Sequence, residues 1–176
     1  MDNNSTLARK LKQEIQGDIL FDDFSRGRYS TDASIYQLMP IGVVVPKCHD
    51  DVEAAIKIAR EEGVPVLPRG SGTSQNGQAI GESLLIDTTR HLNCVVGFDK
   101  ENRTACVEPG LVLDHLNRFL KPHGLFYPVD VSTANRATLG GMTGNNSCGA
   151  RSIRYGNMVH NVLSVEALLA DGSKAH

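Results

Sequence analysis

Directly after the apolar run Val64-Pro65-Val66-Leu67, the chain enters Pro68-Arg69-Gly70-Ser71-Gly72-Thr73-Ser74-Gln75-Asn76-Gly77. No other stretch constrains the fold as tightly. A strand must deliver this loop to an exposed edge, where small residues let successive backbone N–H groups converge on an anion. Arg69 adds a fixed positive charge, to be read either as a phosphate contact or as a surface charge. A Walker A loop would end in Gly-Lys-Ser/Thr, and no lysine stands between Lys57 and Lys100. A Rossmann fingerprint would need a third glycine where Gln75 stands, followed by a crossover helix. The chain instead reaches the strand-like Leu84-Leu85-Ile86-Asp87, so Asp87 gains no ribose-binding role from its position.

A second glycine-rich segment, Ala137-Thr138-Leu139-Gly140-Gly141-Met142-Thr143-Gly144-Asn145-Asn146-Ser147-Cys148-Gly149, precedes Arg151-Ser152-Ile153-Arg154-Tyr155-Gly156. Adjacent glycines and short polar side chains suit a backbone that passes close to a flat ligand and bonds its edge atoms. Two such segments imply one extended ligand with two recognition points. Arg151 and Arg154 read as ligand contacts or surface charges, and Asp130 as a turn cap or a ligand contact. Tyr127 and Tyr155 read as packing residues, and His49, His91, His115 and His123 as solvated side chains. His160 and His176 stay open.

Periodicity supplies the frame. Leu7, Leu11 and Ile15 predict a helix over Leu7 to Gln16, capped by Ser5 and Thr6 and stopped by Gly17. Phe21 to Tyr36 has no clear period. Ile41 to Pro46 reads as a buried strand. Asp50 is placed to cap a helix from Asp51 to Glu62, with Val52, Ala55, Ile56 and Ala59 inward and Gly63 as its end. Val64 to Leu67 follows as a parallel strand, which puts the first loop at a strand's carboxyl end. Cys94 to Phe98 and Thr104 to Glu108 form a hairpin across a polar turn. Val112 to Leu120 forms a helix with Leu113, Leu116, Phe119 and Leu120 inward, ended by Pro122 and Gly124. Asn161 to Ala170 reads as a strand entering an Asp171-Gly172 turn, with no return strand, so the chain is expected to be a fragment.

At its two glycine-rich segments the chain resembles the FAD-binding oxidoreductases of the vanillyl-alcohol oxidase and p-cresol methylhydroxylase type, in the branch of D-lactate, glycolate and D-2-hydroxyglutarate dehydrogenases. The resemblance extends to Arg28-Tyr29-Ser30-Thr31-Asp32-Ala33-Ser34 and to Val107-Glu108-Pro109-Gly110. It implies an α+β fold of two α/β subdomains, a small parallel βαβ unit and a larger mixed or antiparallel sheet. Residues 1–36 would be a helix and extended lead-in, and residues 37–176 an incomplete FAD-binding domain. The resemblance assigns Pro68, Arg69, Gly70, Ser71, Gly72, Thr73, Ser74, Gln75 and Gly77 to the FAD pyrophosphate. Pro128, Asp130, Ser132, Ala137, Thr138, Gly140, Gly141, Gly144, Asn145, Cys148, Gly149, Arg154, Tyr155 and Gly156 would run along the rest of the cofactor. Many relatives carry a flavin-linked histidine where Thr73 stands, so non-covalent FAD is implied. His160 occupies a place where relatives often have an acid.

The activity implied is oxidation of a small D-2-hydroxy acid, with an electron acceptor beyond it. The catalytic base and any iron–sulfur cluster would lie outside this segment. A reductase of cell-wall precursors that draws hydride from NADPH, a non-enzymatic nucleotide- or anion-binding module, and a protein-interaction scaffold are the alternatives. The 22% of charged residues are mixed in sign, giving a net charge of -2 without a basic stripe for nucleic acid. No apolar run is long enough to span a bilayer, and the start Met1-Asp2-Asn3-Asn4 does not read as a secretory signal; a cytoplasmic setting is expected. Cys48, Cys94, Cys106 and Cys148 lack metal-ligand spacing and read as reduced, buried thiols, with Cys148 near the flavin segment.

Overall fold

The four-residue spacing of Leu7, Leu11 and Ile15 places them on one face of a helix. In the computed structural model, which describes residues 3–176, that helix is α1 (Asn3–Glu14). Its Leu7 and Leu11, with Ile15 directly after its end, are buried against α3 (His49–Glu61), where Ala55, Ile58 and Ala59 complete the cluster. Ser5 and Thr6, expected as caps, lie inside α1. The Asp50 cap also gives way, because α3 opens at Cys48. Asp51, one turn in and 2% exposed, instead accepts the backbone N–H groups of Gln16 at 2.9 Å, Gly17 at 3.0 Å and Lys47 at 2.8 Å. Gly63, at φ +67°, turns the chain out of the helix.

A four-stranded sheet carries the first glycine loop. Its order is β1 (Asp18–Leu20), β2 (Gly42–Val45), β4 (Leu84–Asp87) and β3 (Val66–Arg69), with β4 parallel to both neighbours and β1 antiparallel at the edge. β2 and β4 are apolar almost throughout because both their faces are covered. Val44, Leu84 and Ile86 face the α1–α3 cluster, while Val43, Val45 and Leu85 meet Leu20 and Tyr29. The register pairs Arg69 with Asp87, so the loop leaves the sheet beside a buried carboxylate. The stretch without period contains a helix of six residues, α2 (Asp23–Arg28), capped by the Asp22 carboxylate on Ser25 N–H. So short a helix leaves no hydrophobic repeat to read.

The rest of the chain packs around Leu111, Val129, Met142 and Met158. β5 (Val95–Asp99) and β6 (Thr104–Val107) make the expected hairpin, and α4 (Leu113–Leu120) buries Leu113, Leu116 and Leu120. Phe119, expected inward, is 40% exposed and meets Phe98 edge-on at 5.3 Å. The second glycine segment contains the helix α5 (Leu139–Gly144), followed by α6 (Ser152–Tyr155) and α7 (Met158–Asn161). A return strand does exist. β7 (Ala167–Leu168) pairs with β8 (Lys174–Ala175) across the Asp171-Gly172 turn, in place of one long strand from Asn161. The larger second sheet is thus present as two two-stranded ladders among the described residues.

Candidate functional site

The loop after β3 is held by its neighbours and leaves its own amides free. Gly72 and Gly77 take φ of +70° and +74°, conformations that disfavour any side chain. Ser74 Oγ accepts the N–H groups of Asn76 and Gln78, closing the far end into a turn. Gly72 O accepts from Ala33 N–H at 3.1 Å. Among the described residues, no acceptor takes the backbone N–H groups of Ser71, Gly72, Thr73, Ser74 or Gln75. Five consecutive amides without an internal acceptor, on a half-buried turn, are a donor set for a polyanion, since backbone N–H groups require either water or a ligand.

The two glycine-rich segments meet. A Cβ on Gly70 would collide with Thr138 Oγ1, so the start of the first loop lies directly against the entrance to α5. Gly140 rests on Pro109, where a Cβ would come within 2.6 Å of the proline Cβ and 2.9 Å of its carbonyl oxygen. Gly110 fits against the carbonyl oxygens of Thr88 and Leu92, and Thr88 N–H donates to Arg69 O at 3.3 Å. The Val107-Glu108-Pro109-Gly110 turn therefore braces both segments. Further along, Gly149 abuts Asp130 O, and the Asp130 carboxylate accepts Arg151 N–H at 2.9 Å. Asp130 pins residues 128–132 to residues 149–151.

Several residues sit differently from the sequence reading. Arg69 is turned inward and 9% exposed, donating to Ala79 O at 2.7 Å and Thr31 O at 2.9 Å. The α5 amides are already engaged: Leu139 N–H on Leu111 O, Gly140 N–H on Pro109 O, Gly141 N–H on Thr138 Oγ1. Gly140 and Gly141 thus shape the surface with their missing side chains rather than by offering donors. A Cβ at Gly141 meets only Thr138 Oγ1, at 3.1 Å, and at Gly144 nothing within 4 Å. Arg151 and Arg154 are exposed and lie over the Phe126 and Tyr155 rings, at 5.6 and 5.3 Å. His160 Nδ1 accepts Asn157 N–H at 3.1 Å, a local role that an acid could also fill. The cysteines are not buried hydrophobes. Cys94, Cys106 and Cys148 are exposed, Cys48 is half-buried, and all four are unpaired.

A polar cluster that sequence reasoning passed over lies beneath the loop. Tyr29 OH donates to Asp87 Oδ2 at 2.8 Å, and Asp87 Oδ1 accepts from Thr89 N–H and Oγ1. Asp32 accepts Ser34 N–H at 2.8 Å and Ala79 N–H at 3.4 Å. Burial pushes the Asp32 carboxyl up, but those hydrogen bonds outweigh it and hold it below the usual range. Burial, then the Asp87 charge, drives the Tyr29 hydroxyl up to about 12 from 10.0. Burial alone raises Tyr127 to about 12. The signal was present in the Arg28 to Ser34 stretch, but only the β3–β4 register brings Asp87 to it.

These two tyrosines predict an alkaline limit. A raised folded-state value means that the unfolded chain loses its phenolic protons first, so their stabilisation is complete below about pH 10 and fades as pH climbs toward 12. Urea midpoints should fall across that window, and more shallowly in Tyr29→Phe. An equal slope in the variant would refute the assignment.

The fold and the chain's relatives agree. Alkyldihydroxyacetonephosphate synthase superposes with a TM-score of 0.86 at 22% identity, over 98% of this chain and 38% of that one. Substrate-bound p-cresol methylhydroxylase gives a TM-score of 0.80 at 18% identity, over 98% and 35%. In sequence, D-2-hydroxyglutarate dehydrogenase of Haemophilus influenzae is 38% identical over 91% of this chain. Glycolate oxidase subunit GlcD of Bacillus subtilis is 38% identical over 90%. The chain spans 16% of the length of the former and 35% of the latter. Residues 40–176 match the family model described as FAD binding domain, and the chain belongs to that family.

Proposed function

We propose that this chain is the FAD-binding portion of a flavoprotein dehydrogenase or oxidase acting on a small D-2-hydroxy acid of the lactate, glycolate or 2-hydroxyglutarate class. The observation that carries it is the row of free amides from Ser71 to Gln75, set against the Thr138 entrance to α5. In this reading the 70–77 loop, carried by Pro68 and Arg69 at the end of β3, holds the pyrophosphate through backbone dipoles that need no reorganisation, with Ser71, Thr73, Ser74 and Gln75 beside it. Pro128, Asp130, Ser132, Ala137, Thr138, Gly140, Gly141, Gly144, Asn145, Cys148 and Gly149 form the surface along the remaining cofactor, with Arg154, Tyr155 and Gly156 at its end. FAD is held without a covalent bond, because a threonine hydroxyl at position 73 does not offer the ring nitrogen that such a bond uses. When bound, FAD supplies the acceptor for the hydrogen leaving the substrate's α-carbon. This chain's residues bind and orient it. We assign the base, the substrate carboxylate clamp, the electron acceptor and any iron–sulfur ligand to residues outside this chain. Exposed, unpaired thiols suit a reducing compartment, and we take the setting as cytoplasmic. We also take residues 37–176 as the FAD-binding unit and 1–36 as its lead-in.

The test is the visible flavin absorbance of the intact protein, recorded anaerobically before and after adding D-2-hydroxyglutarate, D-lactate or glycolate. Bleaching by one of them is expected. A yellow protein that none of them bleaches removes the substrate class, and a protein that takes up no FAD removes the whole reading.

A further inference from the structure

We propose that Arg69 is a positioning residue: it touches no part of the cofactor but holds the 70–77 loop in its receiving shape by filling the space beneath Gly72 and fastening Ala79 to Thr31. The inference deepens the FAD reading and rests on that loop being the pyrophosphate site.

Three observations converge on it. Arg69 is the last residue of β3, and its guanidinium lies against Gly72, where a Cβ would strike Nη2. Gly72 is therefore required twice over, by its φ of +70° and by the arginine packed under it. The planar fork then reaches two carbonyl oxygens on different segments, Ala79 at the loop's far end and Thr31 in the lead-in. One guanidinium bridges two acceptors in this way, while a lysine ammonium presents a point charge without the plane. Finally, its surroundings already answer its charge. The Tyr29 ring lies beneath it at 5.5 Å, Tyr29 is fixed on Asp87, and Asp87 is its register partner across the sheet. Asp32, which bonds Ala79 N–H, completes the enclosure. A guanidinium so neutralised and so buried is a poor phosphate clamp. As a strut it holds the turn whose five amides lack an acceptor among the described residues, so the ligand meets a turn that is already ordered.

The two roles separate experimentally in the intact protein. A direct phosphate contact contributes to the salt dependence of binding, whereas a strut does not. Arg69→Met is expected to weaken FAD binding by about tenfold or more, leave the slope of affinity against ionic strength unchanged, and speed hydrogen exchange in residues 70–79. Arg69→Lys should recover only part of the loss. Should Arg69→Met fail to fold, Tyr29→Phe, which frees the ring under the guanidinium, is expected to speed exchange in the same residues by a smaller factor. A flattened salt slope with wild-type exchange, unchanged affinity in Arg69→Met, or unchanged exchange in Tyr29→Phe overturns the proposal. The exchange measurements need no ligand, so a wild-type protein that binds no FAD defeats the functional reading while the strut is still judged.

Discussion

Gly70→Ala yields a folded protein that retains FAD about a hundredfold more weakly, a loss of ~2.7 kcal/mol. The added methyl has one place to go, and Thr138 Oγ1 occupies it. Two responses are open. The 70–77 loop can lift away from α5, which separates the halves of the cradle. Alternatively, Thr138 can rotate and give up its hydrogen bond from Gly141 N–H, at about 0.5–2 kcal/mol for a lost helix cap. Either way the surface offered to an extended ligand changes while the core beneath does not. The cause can be isolated, because removing the obstructing oxygen in Gly70→Ala/Thr138→Ala should restore part of the affinity. A double variant no better than the single one would refute the contact as the cause. Equilibrium dialysis of FAD against the three variants decides it. Gly141→Ala provides the contrast. Its Cβ approaches only Thr138 Oγ1, at 3.1 Å, so a much smaller loss is expected there than at Gly70.

Asp51→Ala destabilises the chain by about 3–5 kcal/mol, since the buried carboxylate and its three hydrogen bonds, from Gln16, Gly17 and Lys47 N–H, are lost together. Against a domain stability of about 5–15 kcal/mol that is a large share. The carboxylate joins the exit of α1, at Gln16 and Gly17, to Lys47, two residues before α3. Gly17 is itself pressed against Val45 O, which leaves it little room to turn to another acceptor. Asp50→Ala, one residue earlier and exposed, should stay within about 0.5 kcal/mol of the parent. Urea unfolding of the two variants tests the pair, and similar midpoints would mean that Asp51 is not the tie.

Adjacent aspartates with opposite fates illustrate where legibility ended. Either could cap a helix by composition, and only the path of residues 15–17 past the start of α3 selects Asp51. The second glycine segment was legible as backbone open to close approach, but not as a helix: α5 forms because Leu139 and Met142 are buried in the second core and Thr138 caps the turn. Tertiary burial overrides weak glycine propensity. Arg69 was legible as a charge but not as an inward one, since its partners at Thr31 and Ala79 are distant or unremarkable in sequence.

By itself the sequence determined the alternation of apolar runs and turns, and hence β2, α3, β3 and β4 with a glycine loop at a strand's carboxyl end. It also determined the pairing of two glycine-rich segments that implied one extended ligand, which the family resemblance gave as FAD. Those are local properties, set by side-chain period and by backbone positions that tolerate no Cβ. Tertiary structure decided which donors remain free, which carboxylate is buried, and that Gly70 lies on Thr138. Hydrogen bonds and close contacts are made between segments far apart in the chain, so their partners are chosen only when the sheet register and helix packing bring them together.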